Sequence, residues 1–236
     1  MAALPDNPVF VALDTIDLER ALAWTKAVRP HVGGVKLGLE FFNAQGPAGV
    51  ARVVETGTPV FLDLKFHDIP NTVAGAVRAV AGLGVAVINL HASGGKAMMQ
   101  AALAAAIEVA GDTRPLVTAV TVLTSLDADD LAAVGQTPPA AAQAEKLALL
   151  AQASGLDGII CSPHEIAGLR AVCGRDFYFI VPGIRPAGAA VGDQKRIMTP
   201  REARDLGADM LVIGRPITQA ADPAAAAAAI AAELAR

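Results

Sequence analysis

The feature that most constrains the fold of this chain is a regular alternation of short β-rich segments with alanine-rich helical segments. The predicted strands cover residues 9–14, 34–39, 60–65, 85–91, 116–122, 158–162, 177–181 and 210–214. The predicted helices cover residues 17–28, 40–55, 71–83, 96–110, 140–153, 163–172, 200–206 and 223–234. Strands that are each followed by a helix, eight times over, are typical of a (β/α)₈ barrel, the α/β architecture in which parallel strands close into a ring.

A doubly wound sheet is the alternative α/β architecture. Such sheets usually have fewer strands and a glycine-rich turn after the first strand. The segment Leu13-Asp14-Thr15-Ile16-Asp17 contains no glycine, so the pattern favours the barrel. No linker or change of composition divides the chain, and we expect residues 1–236 to form one catalytic barrel domain.

The composition indicates a globular protein that does not associate with membranes. Hydrophobic residues make up 53% of the chain and charged residues 18%, which suits a large core and excludes a disordered chain. No segment reaches the roughly 18 uninterrupted apolar residues that span a bilayer. The first six residues lack the basic and apolar regions of a signal peptide. We therefore expect a cytoplasmic protein.

The charge balance and the cysteines exclude several classes of function. The formal net charge is −4 and no basic block occurs, so we expect no nucleic-acid partner. Cys161 and Cys173 fit no metal-binding or redox spacing and are expected to be small buried hydrophobes. No cluster of acidic, histidine and cysteine residues has clear metal-ligand spacing, and neither a P-loop nor a nucleophile elbow occurs.

The third predicted strand ends in charged residues that an apolar core would reject. Asp63 and Lys65 are two residues apart, so on a strand their side chains point to the same face. Asp68 follows, where Ile69-Pro70 indicates the start of a helix. Structural explanations compete with a functional one: Asp63 and Lys65 would form an ion pair that closes the barrel, and Asp68 would cap the helix. Two acids around one lysine are also a usual way to set the charge and position of a catalytic lysine.

Polar residues also occur on or just after the other predicted strands, toward the carboxyl-terminal end of the barrel, where active sites lie in this fold. These residues are Asp14, Lys36, Asn89, His91, Thr124, Ser125, Arg185, Gly214 and Arg215. Because polar residues recur at the same end of several different strands, we expect a functional site there. We expect His67 and His91 to have structural roles, because only their residue type singles them out.

The last two strands are followed by residues that suit a phosphate group. Gly214 lets the backbone approach an anion closely, and Arg185 and Arg215 each present a fork of donors. Loops at this position of the barrel commonly hold a phosphate. Segment 186–196 is long, aperiodic and glycine-containing, so we expect a lid over the phosphate, with Gln194 as its contact. The alternative is that each arginine is an ordinary surface residue.

The run Asp63-Leu64-Lys65-Phe66-His67-Asp68-Ile69-Pro70-Asn71-Thr72 resembles the active-site segment of the bacterial branch of the orotidine 5′-phosphate decarboxylase family. The Asp-x-Lys-x-x-Asp core is shared with the sugar-phosphate decarboxylases and synthases of the same superfamily. The continuation Ile-Pro-Asn-Thr favours the orotidylate branch. The resemblance extends over residues 14–215.

The resemblance implies decarboxylation of orotidine 5′-monophosphate to UMP, without a cofactor or metal, in a homodimer with shared active sites. It implies catalytic roles for Asp63, Lys65 and Asp68, with Lys65 as electrostatic stabiliser and proton donor. The implied substrate-binding residues are Asp14 and Lys36 at the ribose, Thr124 near the pyrimidine, and Arg185, Gln194, Gly214 and Arg215 at the phosphate. Asp68 and Thr72 would reach across a two-fold interface into the partner subunit's site. The sequence does not decide whether Thr124 or its neighbour Ser125 makes the pyrimidine contact.

Three alternatives remain open on the same residues. A metal-assisted sugar-phosphate decarboxylase or synthase would use the same acidic core together with a divalent ion, and EDTA would abolish its activity. A Schiff-base enzyme would use Lys65 as nucleophile, and borohydride would trap the adduct. A silent phosphate-binding barrel would be a partner protein, but it would have no need of a lysine between two acids.

Overall fold

The strands pair in chain order and close on themselves, which confirms the predicted (β/α)₈ barrel. A computed structural model of the chain describes residues 5–136, 138–186 and 198–235. Within these ranges the strands are β1 (Val9–Ala12), β2 (Gly34–Gly38), β3 (Val60–Phe66), β4 (Val87–His91), β5 (Leu116–Val120), β6 (Gly158–Ile160), β7 (Tyr178–Val181) and β8 (Met210–Ile213). Each strand is parallel to the next, and β8 pairs with β1.

Helices follow the strands and cover the outside of the barrel. They are α1 (Leu18–Val28), α2 (Leu39–Val54), α3 (Pro70–Ala81), α4 (Lys96–Ala110), α5 (Ala128–Ala133), α6 (Ala140–Ala153), α7 (Ile166–Cys173), α8 (Pro200–Asp205), α9 (Arg215–Thr218) and α10 (Pro223–Leu234). Helix α2 is two helical pieces joined at Gly46, whose φ is 62°, because Pro47 cannot continue the first piece. The short helices α5 and α9 were not predicted, since their six and four residues show too little periodicity.

Several strands are shorter at their carboxyl ends than the sequence predicts. The structure ends β1 at Ala12, β5 at Val120 and β6 at Ile160, each two residues before the predicted end. The apolar character of the chain continues past these points, so periodicity alone extends the strand. Leu13, Thr121 and Cys161 each still donate one backbone hydrogen bond to the neighbouring strand, and the assigned strands end just before them.

The barrel interior is filled by large apolar side chains from alternate positions. These residues are Phe10, Ala12, Phe61, Val87, Leu116, Val120, Ile160, Ile180, Met210 and Val212. A second and larger core lies between the strands and the helices. Gly34 makes room for Phe10, because a Cβ at Gly34 would lie 2.4 Å from the Phe10 ring. Such packing makes the interior a solid core rather than a pore.

Polar side chains replace apolar ones one layer higher in the interior. Asp63 lies two residues after Phe61 on β3, and Asn89 lies two residues after Val87 on β4. Successive interior positions of a strand are two residues apart, so Asp63 and Asn89 also point inward. The carboxyl-terminal end of the barrel is therefore the polar end.

None of the helices in the described ranges combines the length and the apolar character needed to cross a membrane.

Candidate active site

Strand β3 is irregular at the point where it carries its charged residues. Leu62 pairs with Ile88 and Phe66 pairs with Leu90, so four steps along β3 match two steps along β4. Lys65 lies in this bulge with a φ of 52°, and no other non-glycine residue of the described chain has a positive φ. Left-handed backbone is unfavourable for a residue with a Cβ, and such strain collects at functional sites. The predicted contact of Asp63 with Lys65 is present, but the bulge rather than regular strand alternation produces it.

The carboxylate of Asp63 is the centre of a compact charge cluster. Lys65 Nζ donates to Asp63 Oδ1 at 2.5 Å, and Lys36 Nζ lies 3.2 Å from Asp63 Oδ2. Asp14 Oδ1 lies 3.8 Å from Lys36 Nζ at the exposed edge of the cluster. Lys36 and Asp63 are buried, whereas Lys65 is partly exposed. The alternation of signs compensates each buried charge.

Asn89 connects the two catalytic candidates on β3. Its side-chain Nδ2 donates to Asp63 Oδ1 at 2.7 Å, and its Oδ1 accepts the backbone N–H of Lys65 at 2.8 Å. Asn89 is only 1% exposed. The sequence places Asn89 at the end of the fourth strand without assigning it a role. An amide inside the apolar run from Val87 to Leu90 is a usable signal, because buried polar groups need hydrogen-bond partners.

The cluster shifts the proton affinities of two of its members. Burial raises the pKa of Asp63, but Lys36, Lys65 and the hydrogen bonds from Lys65 and Asn89 outweigh burial and hold this pKa below its ordinary value. Burial lowers the pKa of His91, and the neighbouring His67 and Lys65 lower it further. The His91 and His67 rings lie 5.3 Å apart. Asp63 is therefore an anion and His91 a neutral imidazole at neutral pH.

A cavity of about 180 Å³ opens beside the charge cluster. Its lining consists of Lys36, Phe61, Asp63, Lys65, Val120, Val122, Leu123, Thr124, Ile160, Cys161, Pro182 and Val212. Charged groups thus face a space whose other walls are mainly apolar. Electrostatic interactions are stronger in such a space than in water. The arrangement suits a reaction in which charge develops on a ligand beside Lys65.

Several of the predicted site residues lie together at this cavity. Thr124 lines the cavity, whereas Ser125 is exposed. Gly214 lies beside the cluster, since a Cβ there would be 3.8 Å from Asp14 Oδ2. Cys161, predicted to be a buried hydrophobe, is buried at the cavity wall, and burial raises the pKa of its thiol.

Asp68 and Thr72 do not reach this cluster within their own chain. Both residues are exposed, and Asp68 Oδ1 accepts the N–H of Ile69 at 2.6 Å. Helix α3 is capped at Ile69 without a side-chain hydrogen bond, so Asp68 does not act as its N-cap. In the described part of the chain, Lys65 forms its ion pair with Asp63 and not with Asp68. Among the described residues, Asp68 therefore stands apart from the charge cluster of its own chain.

The phosphate candidates are spread around the mouth of the barrel. Arg185 is buried and donates from Nη1 to the carbonyl oxygen of Ile184 at 2.9 Å. Arg215 is exposed at the first position of α9, directly after Gly214. Gln194 and the predicted lid from residue 187 onward lie outside the described residues. Among the residues with described positions, no group of three or more His, Cys, Asp and Glu side chains is arranged to hold a metal ion.

Comparisons with known proteins give the family and agree with the fold. The family model for the "Orotidine 5'-phosphate decarboxylase / HUMPS family" matches residues 7–230. A curated orotidine 5′-phosphate decarboxylase from Paramagnetospirillum magneticum is 56% identical over 231 residues, which cover 97% of this chain and 98% of that protein. One from Novosphingobium aromaticivorans is 54% identical over 228 residues, which cover 97% and 99%. The crystal structure of orotidine 5′-phosphate decarboxylase from Lactobacillus acidophilus matches with a TM-score of 0.86 and 40% identity, and covers 98% of this chain and 100% of that chain.

Proposed function

The chain belongs to the orotidine 5′-phosphate decarboxylase / HUMPS family, and we propose that the cluster of Lys36, Asp63 and Lys65 performs its reaction. That reaction is the decarboxylation of orotidine 5′-monophosphate to UMP in pyrimidine biosynthesis. The family description covers more than one activity, but curated relatives with 54–56% identity bear the single name of the decarboxylase. The observation that carries the mechanism is the Lys65 ammonium, held 2.5 Å from Asp63 beside a largely apolar cavity.

The chemistry explains why a fixed ammonium group is needed. When the bond between C6 of the pyrimidine and the carboxylate breaks, CO₂ leaves and the electron pair stays on C6. That pair occupies an orbital in the ring plane, so the π-system of the pyrimidine does not delocalise it. A site without a cofactor must stabilise the carbanion electrostatically and supply a proton. Lys65 Nζ would do both, first as a positive charge and then as the donor of the proton to C6.

Asp63 holds Lys65 in position. Its carboxylate is an anion at neutral pH, because Lys36, Lys65 and Asn89 offset the cost of burying it. Its Oδ1 accepts from Lys65 Nζ at 2.5 Å, so the ion pair holds the ammonium group beside the cavity. Asp63 also places negative charge near the substrate carboxylate, which would destabilise the bound substrate more than the transition state. Asp63 is therefore proposed as a catalytic residue beside Lys65.

The remaining contacts of the substrate follow from the positions around the cavity. Asp14 and Lys36 are proposed to bind the ribose hydroxyls, since they pair at the exposed edge of the cluster. Thr124 is proposed as the pyrimidine contact, because it lines the cavity and Ser125 is exposed. Arg185, Gln194, Gly214 and Arg215 remain the proposed phosphate contacts. Binding energy from the phosphate would drive closure of the site.

The proposed role of Asp68 is in the active site of a second subunit. Asp68 and Thr72 are exposed at the start of α3, and Ile69 between them is 67% exposed. An exposed large apolar residue beside an acid of the catalytic motif supports an interface at this position. We therefore propose a homodimer in which Asp68 and Thr72 of one subunit complete the site of the other. A nucleic-acid partner is not part of the proposal, and the cytoplasmic location and the single catalytic domain stay predictions from the sequence.

The test is decarboxylation of orotidine 5′-monophosphate by the purified protein, followed by the change in absorbance as UMP forms. We expect turnover whose rate EDTA does not change. We also expect no covalent enzyme–substrate adduct that borohydride can trap. Loss of activity in EDTA, restored by a divalent ion, would favour the metal-assisted synthase chemistry instead. A covalent adduct on Lys65 would favour the Schiff-base alternative. Absence of turnover in protein that still binds UMP would favour the alternative of a silent phosphate-binding barrel.

A further inference from the structure

We propose that Asn89 is a positioning residue that holds the backbone of Lys65 in its left-handed conformation and so directs the ammonium group toward the reacting carbon. This inference rests on the proposed role of Lys65. Asn89 itself does not line the cavity, so it would act through Lys65 and Asp63 rather than on the substrate.

The first reason is that the backbone of Lys65 needs an external constraint. Its φ is 52°, in a region that residues with a Cβ rarely adopt. The bulge in β3 takes Lys65 out of the regular ladder with β4, so strand pairing does not hold it there. The acceptor that its N–H finds is Asn89 Oδ1, at 2.8 Å. Asn89 therefore replaces, with a side chain, the hydrogen bond that regular pairing would have supplied.

The second reason is that an asparagine side chain can bond both to the Lys65 backbone and to the Asp63 carboxylate. Its amide oxygen accepts from the Lys65 backbone, and its amide nitrogen donates to Asp63 Oδ1 at 2.7 Å. An aspartate at this position would keep the acceptor but lose the donor. A leucine would fill a similar volume and lose both. Because Asn89 is 1% exposed, water does not substitute for either bond at low cost.

The consequence for the reaction follows from geometry. Without its acceptor, the Lys65 backbone would relax toward negative φ and the side chain would leave its present direction. A misplacement of about 1 Å in a reacting group is enough to cost about 10²-fold in rate. Substrate binding would change much less, because the described hydrogen bonds of Asn89 go to Asp63 and Lys65 and not to the proposed phosphate and ribose contacts.

The competing explanation is that Asn89 only stabilises the barrel. Thr118 offers a matched control, because it pairs with Asn89 in the register of β4 and β5 and is completely buried. Thr118 Oγ1 donates to the Ile88 carbonyl oxygen at 3.1 Å, so Thr118→Val also removes a buried hydrogen bond in the same layer. Thr118 has no hydrogen bond to Asp63 or Lys65 among the described contacts. A structural effect should therefore appear equally in both positions.

The experiment measures kcat, KM and UMP affinity of full-length Asn89→Leu, Asn89→Asp and Thr118→Val, with folding checked by circular dichroism. We expect kcat to fall by about 10²-fold in Asn89→Leu, and in Asn89→Asp when its new carboxyl group is ionised, with UMP affinity within about threefold of wild type. Thr118→Val should keep kcat within about threefold. Equal kcat losses at the two positions, or a loss expressed only in KM, would overturn the proposal.

A second readout uses the pH dependence of Asn89→Asp, which keeps the shape of the side chain if Asn89→Leu does not fold. The titratable groups of the cluster are Asp63 and Lys65 on β3, Lys36 on β2, and His91 with His67 beside it. Burial and the neighbouring Asp63 carboxylate raise the pKa of the introduced carboxyl group. Below that pKa the group is a neutral acid that donates to Asp63 and still accepts from Lys65, as asparagine does. The kcat of Asn89→Asp should therefore rise as pH falls, while that of Asn89→Leu should not.

A kcat of Asn89→Asp that changes with pH as wild type does would contradict the inference. Crystal structures separate this failure from failure of the proposed function. If wild type does not convert orotidine 5′-monophosphate, the proposed function is wrong, whatever Asn89 does. The conformation of Lys65 in Asn89→Leu still tests the inference in that case, because a Lys65 that retains positive φ would show that Asn89 does not hold it.

Discussion

The ammonium group of Lys65 reaches Asp63 from a backbone conformation that residues with a Cβ rarely adopt. Local preference would place Lys65 in regular strand, where its side chain would follow the pleat. The bulge against β4 and the hydrogen bond to Asn89 override that preference. At the scale of single residues, the site is thus a strained position stabilised by its neighbours, which is common where chemistry requires an exact orientation.

Lys65→Ala should reduce kcat by at least about 10²-fold, because it removes both the stabilising charge and the proton donor. The protein should remain folded and should still bind UMP, since the proposed phosphate contacts are elsewhere. Steady-state kinetics with orotidine 5′-monophosphate and calorimetry with UMP measure the two effects. Lys26→Ala, on the exposed face of α1, is a control for loss of a lysine. If Lys65→Ala kept more than about a tenth of wild-type kcat, Lys65 would not have the proposed role.

Arg215→Ala should weaken the binding of nucleotides with a 5′-phosphate by about 1.5–3 kcal/mol, as expected for loss of a charge-assisted hydrogen bond. Affinity for the bare nucleoside should change little. Titration calorimetry with UMP and uridine gives the comparison. Arg201→Ala on α8 is the matched control, because its guanidinium pairs with Asp205 at the surface. Equal losses for nucleotide and nucleoside would show that Arg215 does not contact the phosphate.

At the scale of strands, two aspartates fix neighbouring strands at the end of the barrel opposite the site. Asp157, just before β6, accepts from the N–H of Val117 at 2.7 Å and from both Nη atoms of Arg114. Asp209, just before β8, accepts from the N–H of Phe179 and from Arg170, each at 2.7 Å. The pair with Asp157 raises the pKa of Arg114, although burial opposes the shift. These contacts support the register of the barrel and, through it, the position of the site.

Asp157→Asn should lower the free energy of unfolding by about 3 kcal/mol, because it leaves the largely buried Arg114 without its counterion. Urea unfolding followed by circular dichroism measures the change. Asp205→Asn is the control, since Asp205 pairs with Arg201 at the exposed surface and should contribute under about 1 kcal/mol. Activity per folded molecule should stay near wild type in both variants. Similar stability losses in the two variants would contradict the structural role given to Asp157.

At the scale of the whole molecule, one barrel presents an incomplete set of the catalytic residues that the sequence predicts. Asp63 and Lys65 line the cavity, whereas Asp68, just before α3, and Thr72, in its first turn, are exposed and do not line it. The residues of the motif are therefore not all gathered at the cavity of one chain. A two-fold homodimer would resolve this, because the outward residues of each subunit would then meet the cavity of the other.

Mixing inactive Lys65→Ala and Asp68→Ala proteins, under conditions that let subunits exchange, should restore activity. In a mixed dimer with shared sites, one site collects both substitutions and the other collects neither. Random pairing makes about half of the dimers mixed, so about a quarter of all sites should be active. Mixing Lys65→Ala with Asp63→Ala is the control and should restore nothing, because both residues belong to the same chain's site. No recovery with Asp68→Ala, after exchange is confirmed by labelled subunits, would place Asp68 in its own subunit's site.

The sequence by itself determined the barrel, its polar end and the acid–lysine motif. Strand and helix periodicities depend on residues only a few positions apart, so the order of elements can be predicted from the chain alone. The position of Asp14, Lys36, Asp63 and Lys65 at the carboxyl ends of strands then follows from the rule that sites in this fold lie there. The structure brings these four residues together as that rule predicts.

Only the tertiary structure decided how the site is held. The bond from the Lys65 N–H to Asn89 joins residues 24 positions apart, and the bond from Asn89 to Asp63 spans 26. Such contacts depend on the register between β3 and β4, including the bulge, and closure of the whole barrel sets that register. The exposure of Asp68, and its separation from the cluster, likewise depend on where β3 ends and α3 begins in space. Local sequence preferences contain no information about either, because both are set by elements that meet only when the chain has folded.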